Sequence, residues 1–360
     1  MMKKARLLIL ASLFVLVFGG AMSVIAQDRV AGPITTAIRE RGSLICGVNK
    51  SVRGFGFQNP DTGDFEGFDI DFCRAVAVAI LGDPTAVDFR PLNADQRQAA
   101  IQTGEIDLMV RNTTWTASRD VDWGAIFGPT NFYDGQGVMT RVDLGVSSIA
   151  ELDGTTMCVQ SGTTTELNIT DYISSNGLDI ELAVFQDADA TWEAYIQGRC
   201  ESWTTDKSGL AAYRIGNAEN PGDHVILPET ISKEPLGPLS PQSDPQFAEI
   251  VAWTVYGLIQ AEESGITSAN IDEFLMKEGE APEEYSRRVS PATQRLLGQN
   301  GNVGGGYFTL KPDFMVDVIR AVGNYGEIYE RNLAPLGLTR AGSLNDLWTR
   351  GGLLYSPPFR

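Results

Sequence analysis

The sequence predicts an α/β protein of two lobes, each an open sheet flanked by helices, with the second lobe inserted into the first. Three observations predict it. Strands and helices alternate between residues 43 and 110, the same alternation recurs between 155 and 209, and extended segments flank the recurrence on both sides. A chain of 360 residues, 43% apolar, is long enough for two cores.

Lys3, Lys4 and Arg6 precede the apolar run LLILASLFVLVF (7 to 18), and Val24-Ile25-Ala26 leads to a cut ahead of Gln27. This is the pattern of a secretory signal over 1–26. The alternative, an uncleaved anchor, lacks a stop-transfer pattern and a lipid-accepting cysteine. No later stretch approaches the roughly 20 apolar residues of a spanning helix, so a soluble, exported chain is expected. Cleavage leaves 25 basic against 46 acidic side chains, a formal −21 compared with −18 for the whole chain. Such a surface argues against nucleic acid or anionic lipid as partner.

SLICGV (43–48) reads as a buried strand and NPDTGDFEG (59–67) as a turn or hairpin. FDIDFCRAVAVAIL (68–81) places Ile70, Cys73, Ala77 and Ile80 on one helical face, with Asp69 available as N-cap. A strand AVDFRPL (86–92), a helix DQRQAAIQTG (95–104) and a strand EIDLMV (105–110) follow, so the order is β-α-β-α-β. The second series reads TTMCVQ (155–160), a helix over 164–177, DIELAVF (179–185), a helix over 187–198, and RCESWTTDKSG (199–209) as a strand with its loop. IQTGEIDLMVRNTT (101–114) and IQGRCESWTTDKS (196–208) form a weak internal repeat: glycine closes a helix, then come a short strand with an acid and threonine-rich polar residues. The extended crossings are FYDGQGVMTR (132–141) and ILPETISKEPLGPLS (226–240). Lobe 1 is therefore placed at 27–136 and 233–360, with a C-terminal extension, and lobe 2 at 137–232. Helices are expected within 247–265 and within 312–333, and the tail beyond shows no chemistry.

Four cysteines in an oxidising compartment invite pairing, and the local solution is Cys46–Cys73 with Cys158–Cys200. None has CxxC spacing. His224, the one histidine, reads as a surface loop residue. The usual nucleophile, phosphate, dinucleotide and metal motifs do not occur, so no cofactor is expected.

The stretch RNTTWTASRD (111–120) follows the strand EIDLMV. Arg119, beside Thr114 and Thr116, can grip a carboxylate through two parallel bonds, or pair with Asp120 or Asp122 at the surface. In SGTTTELN (161–168), Thr163 and Glu166 fit a capping box, so a helix starts there with unpaired N–H groups that suit an anion or merely need a cap. Asp206 occupies the matching position of the second lobe and can accept from an ammonium or be neutralised by Lys207. Arg119 and Asp206 facing one cleft would recognise a zwitterion, hence an amino acid. Phe55 and Phe57 offer rings to cover it, or to fill the core. Arg111 either reaches the ligand side chain or neutralises an acid.

LICGVN (44–49), GFDIDFCRAVA (67–77), GEIDLMVRNTTWTASRD (104–120), FYDGQG (132–137), CVQSGTTTELN (158–168), TTDKSGL (204–210), ISKEPLGP (231–238) and GGLLYSPPFR (351–360) together resemble a known family. It is the periplasmic solute-binding proteins of amino-acid ABC importers, in particular the general L-amino-acid-binding group. The resemblance implies a hinge-closing type II fold with two crossings. It also implies that Arg119 holds the ligand α-carboxylate, helped by Thr114 and by backbone near Asn112 and Thr164, while Asp206 receives the α-amine. The implied function is capture of a free L-amino acid in the periplasm, by a monomer, and delivery to a membrane permease. The chain departs from the family pattern in NKSVRGFGFQN (49–59), where Lys50 and Arg53 add positive charge and make acidic or neutral ligands more plausible. A different class on the same fold is a periplasmic dehydratase acting on prephenate or arogenate, which needs a general acid in the cleft. Asp206 is the only well-placed acid for it. A sensory or docking module is the third reading, for which the chain shows no output element.

Overall fold

The structure, a computed structural model, describes residues 30 to 300 and 304 to 360, so the signal segment expected over 1–26 lies outside the described residues. In chain order the first lobe contains α1 (Pro33–Arg41), β1 (Leu44–Val48), β2 (Ser51–Val52), β3 (Gly56–Gln58), β4 (Phe65–Glu66), α2 (Phe68–Leu81), β5 (Val87–Pro91), α3 (Arg97–Thr103), β6 (Leu108–Met109), α4 (Ala117–Asp122) and β7 (Ala125–Phe127). The second holds β8 (Phe132–Arg141), β9 (Thr156–Gln160), α5 (Thr164–Asn176), β10 (Glu181–Phe185), α6 (Ala188–Ile196), β11 (Ser202–Asp206), α7 (Lys207–Gly216) and β12 (His224–Ile226). The chain then returns through β13 (Lys233–Leu236) and β14 (Leu239–Pro241) to α8 (Pro245–Glu263), α9 (Pro282–Arg288), α10 (Pro291–Leu296), α11 (Phe314–Val322) and α12 (Tyr325–Asn332).

One sheet has the order β5-β1-β6-β14-β7 and the other β10-β9-β11-β8-β12. In each the βαβ strands run parallel and a crossing strand joins them antiparallel. Type II two-lobed topology follows from this arrangement. The crossings lie side by side, because the first half of β8 pairs with β13, Asp134 opposite Glu234, and its second half with β11 and β12, Gln136 opposite Asp206. β2, β3 and β4 make the expected hairpin as a separate small sheet.

The first-lobe core forms around α2, which is buried along most of its length because it lies between the sheet and α8, α11 and α12, with Asp69, Asp71 and Arg74 of its first two turns held in hydrogen bonds and ion pairs. Phe68 at its start meets Phe55, Phe72, Phe132 and Tyr325 edge-on, with centroids 4.9 to 6.0 Å apart. Both expected disulfides form, Cys46 tying β1 to α2 and Cys158 tying β9 to Cys200 just ahead of β11.

Several expectations are corrected. Asp69 is not the N-cap of α2; Gly67 holds that place, with φ at 132°, and a Cβ there would meet the Phe55 carbonyl oxygen at 2.2 Å. RCESWTTDKSG (199–209) contains the expected strand, β11, but KSG is not its loop, since the chain turns into α7 directly after Asp206. The expected 312–333 helix breaks in two at Gly323, where Asn324 and Glu327 build a capping box that starts α12. His224 is not a loop residue: it opens β12, half-buried, with its Nδ1 hydrogen-bonded to the Tyr195 hydroxyl at 2.8 Å. The tail, expected only to show no chemistry, has a packing role. Asn345 accepts from the Tyr133 N–H (2.7 Å) and donates to the Tyr133 carbonyl (2.9 Å), so the extension grips the crossing strand β8.

Candidate functional site

The carboxyl ends of the parallel strands of both sheets converge on one cavity of ≈ 40 Å³, lined by polar side chains from each lobe. Two contacts bridge its walls: Arg97 donates to the Gly162 carbonyl (3.2 Å), and the Thr114 and Thr164 hydroxyls lie 3.3 Å apart.

From the first lobe, Arg119 reaches the cavity on α4. Thr116 caps that short helix by accepting from the Arg119 N–H at 3.3 Å, so the threonine-rich pattern aims the guanidinium. Arg119 is 7% exposed and donates through Nη1 to the Thr114 carbonyl (2.9 Å). Among the described residues no carboxylate pairs with it; Asp120 and Asp122, its surface alternatives, do not. Burial lowers its pKa, opposed by the Glu234 and Asp206 carboxylates. Trp115 packs, stacked on Phe127 at 5.7 Å.

From the second lobe, Asp206 ends β11, 7% exposed. Lys207 does not neutralise it, because its ammonium is committed to the Pro228 carbonyl (3.0 Å) and the Thr230 hydroxyl (2.8 Å). Burial, then the neighbouring Asp134 and Glu234 carboxylates, raises the Asp206 carboxyl well above the usual range, opposed by Arg119 and Arg97. Thr163 caps α5 by accepting from the Glu166 N–H (3.1 Å), and Thr164 donates to Glu234 at 2.9 Å. Glu166 reaches back to the Gly162 N–H rather than to Thr163, so half of the expected box forms.

Phe55, Arg111, Asn112, Thr114, Thr163 and Thr164 all line the cavity together with Arg119 and Asp206. Asn112 has a left-handed φ of 32°, and its N–H donates to Asp69 at 2.8 Å, so that donor is spent inside the protein. Phe57 is the member of the expected set that lies elsewhere. It pairs with Glu66 in the small hairpin, under the Arg53 guanidinium at 3.9 Å, whereas Phe55 lies ahead of β3 and packs on Phe68 and Phe132.

Sequence reasoning missed Arg97 and Glu234, both buried, and the half-buried Asp134, all beside the cavity. Arg97 reads as an ordinary helix residue, but its guanidinium donates to Ala94, Thr113 and across to Gly162. The signal for the two acids was present: Asp134 sits in FYDGQG and Glu234 in SKEP, charged residues within otherwise extended crossings. Asp134 is raised to about 6 by burial, against a hydrogen bond from Ser208, and Glu234 is saturated by Thr164, Asn168 and Ser232. Three buried arginines, Arg97, Arg111 and Arg119, thus line one space with Asp206, while Asp134 and Glu234 stand behind it on Ser208 and Thr164, a distribution suited to a small ligand carrying both charges.

Residues 44–278 match the model of the bacterial extracellular solute-binding proteins, family 3. The chain is 46% identical to the general L-amino acid-binding periplasmic protein AapJ of Rhizobium johnstonii, over 95% of this chain and 97% of the relative. It is 42% identical to the glutamate/glutamine/aspartate/asparagine-binding protein BztA of Rhodobacter capsulatus, with all of both chains covered. An ABC transporter/periplasmic binding protein from Brucella ovis with glutathione bound superposes with a TM-score of 0.84 at 44% identity, over 92% of this chain and 100% of that one. The chain belongs to the bacterial extracellular solute-binding proteins, family 3.

Proposed function

We propose that this protein captures a free L-amino acid between its lobes in the periplasm and hands it to the membrane permease of an ABC importer. The observation that carries the reading is the pairing of a buried, carboxylate-free Arg119 on one wall with the unneutralised Asp206 on the other. Arg119 takes the α-carboxylate with the Thr114 hydroxyl, and Asp206 takes the α-ammonium, whose charge offsets the repulsion from Asp134 and Glu234. The N-terminus of α5 at Thr163 and Thr164 faces the same anion, and Phe55 covers the stem. On this reading the hinge lies where β8 exchanges β13 for β11, with 27–136 and 233–360 as one lobe and 137–232 as the other, a division that the change of pairing supports. No described helix is long and apolar enough to cross a membrane, in keeping with a carrier that meets its permease as a separate, monomeric chain.

The raised Asp206 carboxyl would also suit the general acid of a dehydratase. Full-length relatives that are binding proteins weigh against that reading. Calorimetry of the mature protein with a panel of L-amino acids tests the proposal: saturable 1:1 heats are expected, and silence with every member refutes it.

A further inference from the structure

Arg111 is not used by the head-group clamp. It is 6% exposed, and its guanidinium makes one hydrogen bond among the described residues, from Nε to the Leu92 carbonyl at 2.7 Å. Its two terminal nitrogens have no hydrogen-bond partner there, and no carboxylate is in ion-pair contact with it. Asp69, the acid that acts on it most strongly, instead accepts from the Asn112 backbone. A buried cation of this kind is costly unless something pairs with it.

Arg111, with Asn49 and Gln160, lines the amino-acid cavity and also a neighbouring side cavity of ≈ 210 Å³, so these side chains form the wall between the two. Lys50, exposed and free of any ion pair among the described residues, stands at the mouth of that annex beside Asn93 and Gln96. The one acid on its wall, Asp187, is occupied in capping α6, where it accepts from Ala190 at 2.8 Å. In a chain that is acidic overall, this corner is locally cationic.

Building on the amino-acid reading above, we propose that the annex is a second, anion-selective subsite. Arg111, with Asn49 and Gln160, receives a carboxylate at the far end of the ligand side chain, and Lys50 draws it in. The ligands favoured are then α-amino acids whose side chain ends in a carboxylate, including γ-linked glutamyl dipeptides long enough to enter the annex. Burial lowers the Arg111 pKa only to about 10, so it remains a cation at neutral pH.

Calorimetry of the mature protein with L-glutamate, L-glutamine, L-alanine and γ-L-glutamylglycine decides the matter. Wild type should bind L-glutamate at least tenfold more tightly than L-glutamine, and retain γ-L-glutamylglycine. In Arg111→Met the glutamate-to-glutamine preference should collapse to within twofold. Should that variant fail to fold, Lys50→Gln serves: it should weaken glutamate severalfold more than glutamine, and added salt should erase the difference in wild type. Equal wild-type affinities for glutamate, glutamine and alanine, or a preference unchanged in whichever variant is measured, overturn the subsite while leaving the amino-acid reading intact. Silence with all four ligands overturns that reading itself.

Discussion

Asp206 is held in a state that ligand-free protein does not favour, since its carboxyl is buried beside Asp134 and Glu234. Asp206→Asn keeps the shape and removes the repulsion, so the ligand-free variant should melt above wild type while binding any amino acid at least tenfold more weakly, as calorimetry and thermal scans can show together. Arg119→Ala is expected to lower affinity about a hundredfold, about 3 kcal/mol, and Arg119→Lys should recover little because an ammonium lacks the planar fork. Asp69 and Asp134 give a pH signature. Burial raises each from 3.8 to about 6, so between those values the folded state holds more protons than the unfolded one. Their contribution to stability is therefore greatest below the unfolded value and is lost as pH rises through about 6. Urea denaturation of Asp69→Asn across that range should show wild type losing stability relative to the variant as pH rises; parallel curves would contradict the assignment.

At the scale of elements, the two disulfides close loops separated by 27 and 42 residues. Loop entropy gives them about 3.5 and 4 kcal/mol, so Cys158→Ala/Cys200→Ala should lower stability by several kcal/mol, and non-reducing peptide mapping should find both bridges. Gly67→Ala should cost ~3 kcal/mol in denaturant titration, because the added carbon meets the Phe55 carbonyl and the backbone is left-handed. Most strands and helices were legible because periodicity, glycine stops and caps agree locally, as in α5, where Thr163 caps the start and Gly177 turns left-handed at the end. α7 was not, since Lys-Ser-Gly is a poor helix start that the packing of Leu210, Ala212 and Tyr213 against the sheet overrides. At the site, Arg119 and Asp206 were legible from strand-end position. Arg97 was not, because its role arises from the meeting of segments 65 residues apart; Asp134 and Glu234 stood out only as charges within the crossings, and their role arises from pairing between those crossings.

For the whole molecule, function depends on both walls meeting one ligand. In the proposed binding mode each wall carries half of the charge complement, so an amino acid would gain its full set of bonds only when the lobes meet over it, and binding would stabilise that arrangement alone. At a hundredfold excess over Kd this adds about 2.7 kcal/mol to stability. The C-terminal extension takes part through Asn345, whose two bonds to Tyr133 hold the first half of β8. The central claim is that one zwitterion bridges Arg119 and Asp206. A crystal structure of the mature protein grown with L-glutamate tests it most directly: the account predicts the α-carboxylate on Arg119 and Thr114 and the α-ammonium on Asp206, whereas a reversed ligand, or one bound outside this cleft, would contradict it.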